Sequence, residues 1–173
     1  GHVWPLIETI GRVIAKRGYP AFLADSSGIR CHVPQSRDLG DIDFVLPAKT
    51  DAEFLLQCLR SELALVSQDL EVIECIPVFL RTRLPIRFSY RGQNAFIVDF
   101  HFGGSVYEGN LVWTVPSRSY FKRVRWVDVP DISRSHYARL PALPLEDTVG
   151  LKLSKNLRLD DVDVLVALSA DFF

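Results

Sequence analysis

Methionine is absent from this chain of 173 residues, and cysteine occurs only three times, as Cys31, Cys58 and Cys75. An odd number of thiols without CxxC spacing supports neither a disulfide framework nor a zinc site, so buried free thiols are expected. No apolar run approaches the length that spans a bilayer. The N-terminus also lacks the basic-then-apolar layout of a secretion signal, so the expectation is a cytoplasmic protein without a membrane partner. The lack of Met, beside a Gly1-His2 start that resembles the remnant of a cleaved tag, raises the expectation that methionines have dropped out of the sequence; an intact mass other than 19.6 kDa would bear this out. Internal repeats and low-complexity segments are missing, which excludes solenoids and disordered tails. HExxH, Walker, GxSxG and dinucleotide fingerprints are missing too. Net charge is nearly balanced, 20 Lys+Arg against 21 Asp+Glu.

What is present is apolar content, 48%, enough for one self-sufficient core over residues 1–173 at a length where roughly 70% of the unfolded surface is buried. Leu6, Ile7, Ile10, Val13 and Ile14 recur at helical spacing and predict a helix over 5–17, closed by Gly18. Ala21 to Ala24 reads as a strand and Asp25 to Gly28 as a turn. Asp41 to Leu46 alternates as a strand ended by Pro47, and Thr50 to Glu53 has the spacing of a capping box ahead of a second helix reaching Val66. Leu70 to Phe79, Arg83 to Tyr90 and Ala95 to Phe102 are strand candidates, the last two forming a hairpin; Leu111 to Val115 and Arg123 to Val129 are candidate edge strands. After Leu140-Pro141-Ala142-Leu143-Pro144, helices are expected at 145–155 and 160–169, making 144–173 a helical C-terminal part. The order implies an α+β domain with a mixed, largely antiparallel sheet flanked by helices.

Charge is uneven along the chain. Arg81 to Arg139 carries ten basic and four acidic side chains, with Phe88, Tyr90, Tyr120, Phe121 and Trp126 interleaved. Arginine forks suit phosphate and aromatics suit bases, although a solvated face of paired charges has the same composition.

Asp41-Ile42-Asp43 is the most informative tripeptide. On a strand, residues i and i+2 share a face, so two carboxylates stand together where they repel unless a cation neutralises both. Asp99 is a third carboxylate on an apolar strand, and if the strands are neighbours the three could hold two Mg2+ or Mn2+ ions for in-line displacement at phosphorus. Turn or cap roles for these aspartates are the alternative. His101 shares the face of Asp99, where it either meets metal or substrate or serves structurally.

Phe22 to Ser27, Arg37 to Phe44 and Val98-Asp99-Phe100-His101 resemble the nucleotidyltransferase superfamily that includes DNA polymerase beta: a strand ending in Gly-Ser or Gly-Gly, a helical turn, a DxD strand and a later Asp. Arg37 and the Asp-aromatic-His run are similar to aminoglycoside and lincosamide nucleotidyltransferases. Pro144 to Leu153 with Arg158 to Leu165 is similar to nucleotidyltransferase toxins of abortive-infection systems. The resemblance implies Asp41, Asp43 and Asp99 as metal ligands and catalytic carboxylates, Asp99 also activating the attacking hydroxyl. It implies Ser26, Ser27, Arg37 and Lys152 as nucleotide-binding residues, with Ser26 standing where the family has glycine. The implied activity is transfer of a nucleoside monophosphate from an NTP such as ATP to a hydroxyl on a small molecule, a protein or RNA, including the toxin half of a toxin–antitoxin pair. The alternative is a non-catalytic nucleotide- or RNA-binding module of the same fold.

Overall fold

The computed structural model describes residues 3–33, 42–66, 70–75, 83–90, 93–102, 105–107, 110–113, 118–131 and 133–154. The elements in chain order are α1 (Val3–Arg17), β1 (Phe22–Ala24), α2 (Asp25–Arg30), β2 (Ile42–Leu46), α3 (Ala52–Val66), β3 (Leu70–Cys75), β4 (Arg83–Tyr90), β5 (Gln93–Phe102), β6 (Ser105–Tyr107), β7 (Asn110–Trp113), α4 (Arg118–Lys122), β8 (Arg125–Pro130), β9 (Tyr137–Ala142) and α5 (Leu145–Ser154). The expected helix at 160–169 lies outside the described residues.

Five strands form the main sheet in the order β1-β2-β5-β4-β3, with pairs β6-β7 and β8-β9 apart. Within it only β2 and β5 run parallel; the other three pairings are antiparallel. The α+β class with a largely antiparallel sheet is therefore as expected.

Alternation along the strands sorts the two faces. Ile42, Phe44 and Leu46 of β2, with Val98, Phe100 and Phe102 of β5, join one apolar cluster with Leu6, Ile7, Ile10 and Ile14 of α1 and Leu55, Leu59 and Leu63 of α3. Phe44 and Phe100 stack at its centre, ring centroids 5.4 Å apart. Burying an aromatic of this size stabilises the fold by about 2–3 kcal/mol. On the opposite face Phe22, Ala24, Val45 and Leu143 make a smaller cluster joined by Tyr120 and Phe121. Asp43, Asp99 and His101 share this second face by parity.

Local chemistry explains the element ends. Gly18, at φ 68°, closes α1, its N–H bonding Ala15 O while Tyr19 N–H bonds Ile14 O, the paired bonds of a Schellman cap. The cap of α3 is Asp51 and not Thr50: Asp51 Oδ1 accepts from Phe54 N at 3.0 Å, while the Thr50 hydroxyl donates to Pro47 O at 2.7 Å. Four elements escaped the sequence pattern: α2, β6, α4 and β9. The turn cluster at Asp25 continues as α2, and β9 runs through Pro141, tolerated because a two-stranded ribbon leaves outward N–H positions without ladder partners. Gly11 lets α1 lie on β9, since a Cβ there would stand 2.6 Å from Arg139 O. Among the described residues no helix is long and apolar enough to cross a membrane.

Candidate active site

The parallel pairing of β2 with β5 sets Asp43 directly opposite Asp99, and His101 opposite Val45, two residues along on the same face. His101 Nε2 lies 3.1 Å from Asp43 Oδ1, donating to the carboxylate, with the two side chains 7% and 17% exposed. Asp99 is buried. Ligand atoms of Asp43, Asp99 and His101 all lie within 4.8 Å of one another. Two carboxylates and an imidazole at this spacing are a donor set that fits a divalent cation. The structure thus brings together two of the three expected carboxylates and the histidine. Asp41 and Arg37 lie outside the described residues.

The turn between β1 and α2 sits against this cluster, because Ala24 pairs with Asp43 across the sheet. Ser27 is fully buried there. Its hydroxyl donates to Ala24 O at 2.7 Å and accepts from Asp43 N at 3.2 Å, so it ties the turn to the aspartate strand rather than facing solvent. Neither serine caps α2, whose N-cap is Ala24 without a side-chain bond. Ser26 is half-buried. The left-handed residue is Asp25, at φ 55°, a conformation that glycine favours and aspartate tolerates better than most. The position demanding glycine-like backbone is therefore Asp25 and not Ser26, a register the sequence pattern missed; the tolerance of Asp for this region was the available signal.

Gly28 fixes how closely α2 is packed: a Cβ would come within 2.8 Å of both Leu23 O and Thr148 Cγ2 of α5. Lys152 is buried on that same α5. His32, unassigned from sequence, holds the end of this unit, its Nε2–H donating to Leu143 O at 2.6 Å. Arg30 is buried, donating to Pro130 O at 2.7 Å and lying 5.9 Å from the centre of the Trp4 ring. Cys58 is a buried free thiol, as expected, whereas Cys31, also free, is half-buried. Burial pushes the Cys31 thiol up to about 12, only partly offset by Arg30, which makes it a poor nucleophile.

The basic stretch proves to be partly neutralised. Arg123 Nε donates to Asp147 Oδ2 at 2.8 Å and its guanidinium lies over Tyr120; the Asp147 hydrogen bond raises its already high pKa further, burial opposing. Arg139 reaches Asp128 at 3.4 Å. Phe121 packs on Phe22, centroids 5.3 Å apart, and Trp126 packs against the core, so these rings are engaged in the fold. Side chains of Phe88 and Tyr90 lie outside the described residues. A cavity of about 450 Å³ lined by Glu8, Gly11, Arg12, Ala15, Trp126 and Arg139 shares no residue with the Asp43–Asp99 cluster.

No protein-family model matches this chain, and no curated protein matches it by sequence. Solved structures do. An H. pylori protein to which a nucleotidyltransferase role has been ascribed superposes with TM-score 0.54 at 13% identity, over 92% of this chain and 57% of its own. The antibiotic-resistance factor ANT(2'')-Ia gives TM-score 0.50 at 12% identity, covering 95% of this chain and 81% of the other. The lincosamide adenylyltransferase LnuA, at TM-score 0.46, is more distant. The chain spans little more than half the length of the H. pylori protein. With the β1–α2 turn set against the strand of Asp43 and Asp99 on its parallel neighbour, this chain has the nucleotidyltransferase fold.

Proposed function

We propose that this domain transfers a nucleoside monophosphate from an NTP to a hydroxyl acceptor, with Asp43 and Asp99, joined by Asp41, as the catalytic carboxylates. The observation that carries the reading is the side-by-side pairing of Asp43 and Asp99 on two apolar strands, with His101 against them. Isolated charges in such strands destabilise a fold unless a cation or substrate compensates them. A divalent ion, Mg2+ or Mn2+, supplies polarisation of the α-phosphate and neutralises charge on departing pyrophosphate. Asp99 takes the proton of the acceptor hydroxyl as its oxygen bonds phosphorus, and Asp43 is held in place by His101 Nε2 and by its backbone tie to Ser27. Lys152, Arg37 and the Ser26–Ser27 turn are the groups proposed to border the triphosphate.

Metal-dependent transfer of label from each α-labelled NTP into cell-extract acceptors tests the reading. Label incorporated by the wild type and lost in Asp99→Asn supports it; no incorporation with any NTP and either metal overturns it. A second reading is a nucleotide- or RNA-binding module of the same fold without transfer, resting on the basic and aromatic composition of Arg81 to Arg139. It expects nucleotide or RNA binding that survives Asp99→Asn and no transfer.

A further inference from the structure

His101 is too well placed to be only a neighbour of the acidic pair. It is buried on an apolar strand, its imidazole turned to the carboxylate face while Val98, Phe100 and Phe102 turn to the core. Its ligand nitrogen is within the same 4.8 Å as the two carboxylates. The 3.1 Å between Nε2 and Asp43 Oδ1 is a hydrogen bond in the absence of an ion. It is also the edge of an octahedron, since neighbouring ligands each about 2.1 Å from a shared ion stand about 3.0 Å apart. The same contact can therefore serve a bound cation with little movement.

We propose that His101 is a metal ligand, making an Asp43–Asp99–His101 centre that prefers a first-row transition-metal dication to Mg2+. The inference rests on the reading of Asp43 and Asp99 as metal ligands and deepens it by naming the class of ion. All-oxygen sites suit Mg2+, which dehydrates reluctantly, whereas an imidazole nitrogen adds affinity for borderline cations along the Irving–Williams series. If His101 only oriented Asp43, its loss would weaken every ion alike, because the carboxylate would be misplaced for all of them. A direct ligand changes the ratio between ions.

The test uses the whole chain with Mn2+ and Mg2+ as probes. Electron spin-echo modulation of bound Mn2+ should show coupling to a directly bound 14N in the wild type, absent in His101→Gln. In parallel, calorimetric titration should show the ratio of Mn2+ to Mg2+ affinity falling severalfold in His101→Gln, because the lost nitrogen ligand favours Mn2+ over Mg2+. Gln keeps an amide donor for Asp43; His101→Asn serves in its place where Gln unfolds, judged by circular dichroism. Missing 14N coupling in the wild type, or an unchanged affinity ratio in the variant, overturns the proposal. Its failure is separable from failure of the transferase reading: label transfer with Mg2+ and no 14N coupling sinks only the ligand, whereas 14N coupling without transfer for any NTP sinks only the activity.

Discussion

Replacing Asp99 by Asn separates a functional carboxylate from a structural one. The substitution keeps the shape and removes one negative charge from a cluster whose ligand atoms lie within 4.8 Å of each other. At an effective dielectric of about 20, two unit charges at that separation repel by about 3.5 kcal/mol. The hydrogen bond from His101 and the partial exposure of Asp43 reduce this, leaving an expected gain of about 1 kcal/mol in metal-free buffer. In urea, with a slope of about 2 kcal/mol per molar, the midpoint should rise by about 0.5 M at unchanged slope. Label transfer should fall by two to three orders of magnitude or more, the range for removing one group that stabilises transition-state charge. Urea unfolding in EDTA and transfer assays on the same preparation give both readings. A variant that is less stable yet transfers label normally per folded molecule would refute the reasoning, because it would make Asp99 a structural partner.

Three further outcomes follow from the geometry. Gly11→Ala should destabilise by about 1–3 kcal/mol, as overpacking does, despite the roughly 1 kcal/mol that alanine gains over glycine in a helix. The new Cβ meets the backbone oxygen of Arg139, which has no rotamer to move; unfolding midpoints in urea check the sign. Asp131 is buried, which opposes ionisation. Hydrogen bonds from Ser133 and the backbone of His136 and Ser135, with the His136 charge, nonetheless hold its carboxyl below the usual range. Its contribution is therefore fully present above the unfolded value near 3.9 and lost as pH falls below that through the lower folded value; Asp131→Asn should flatten stability against pH in that window. Cys31, pushed up to about 12, should resist iodoacetamide at pH 8 in the native state and react in urea, followed by mass spectrometry.

How far the fold could be read in the chain depended on whether the signal was local. Period-2 alternation at Ile42, Phe44 and Leu46 and 3.6-spacing through Leu6 to Ile14 are carried by neighbours in sequence, so the strand and the helix were both legible. So were Asp43 and Asp99 as out-of-character charges. Their alignment was not, because the β2–β5 pairing closes over α3, β3 and β4, and no local pattern sets a register across that distance. Element ends moved by one residue where two residues competed for one role, as with Thr50 and Asp51 before α3. α2 was hidden because Asp, Ser and Gly are poor helix formers, held here by packing of Gly28 on Leu23 and Thr148. β9 was hidden by Pro141, which punctuates sequence more strongly than it breaks a two-stranded ribbon.

The position of the cluster on the sheet follows from the same alternation. One face is filled by α1 and α3, and Ile42, Phe44 and Leu46 of β2 with Val98, Phe100 and Phe102 of β5, all apolar, are directed there. On the other face, Phe22, Ala24 and Val45 gather under Leu143. Asp43 and Asp99 continue the rows of Ala24 and β5 at the margin of that patch. A charge at the margin of an apolar patch is partly desolvated, so it attracts a cation more strongly than a fully solvated carboxylate does. It also burdens the fold for the same reason. Two neighbouring strands that place Asp43, Asp99 and His101 among apolar residues keep those side chains against stability. Such local violations are where function is to be sought. The metal-free gain expected for Asp99→Asn is the measurable size of that conflict.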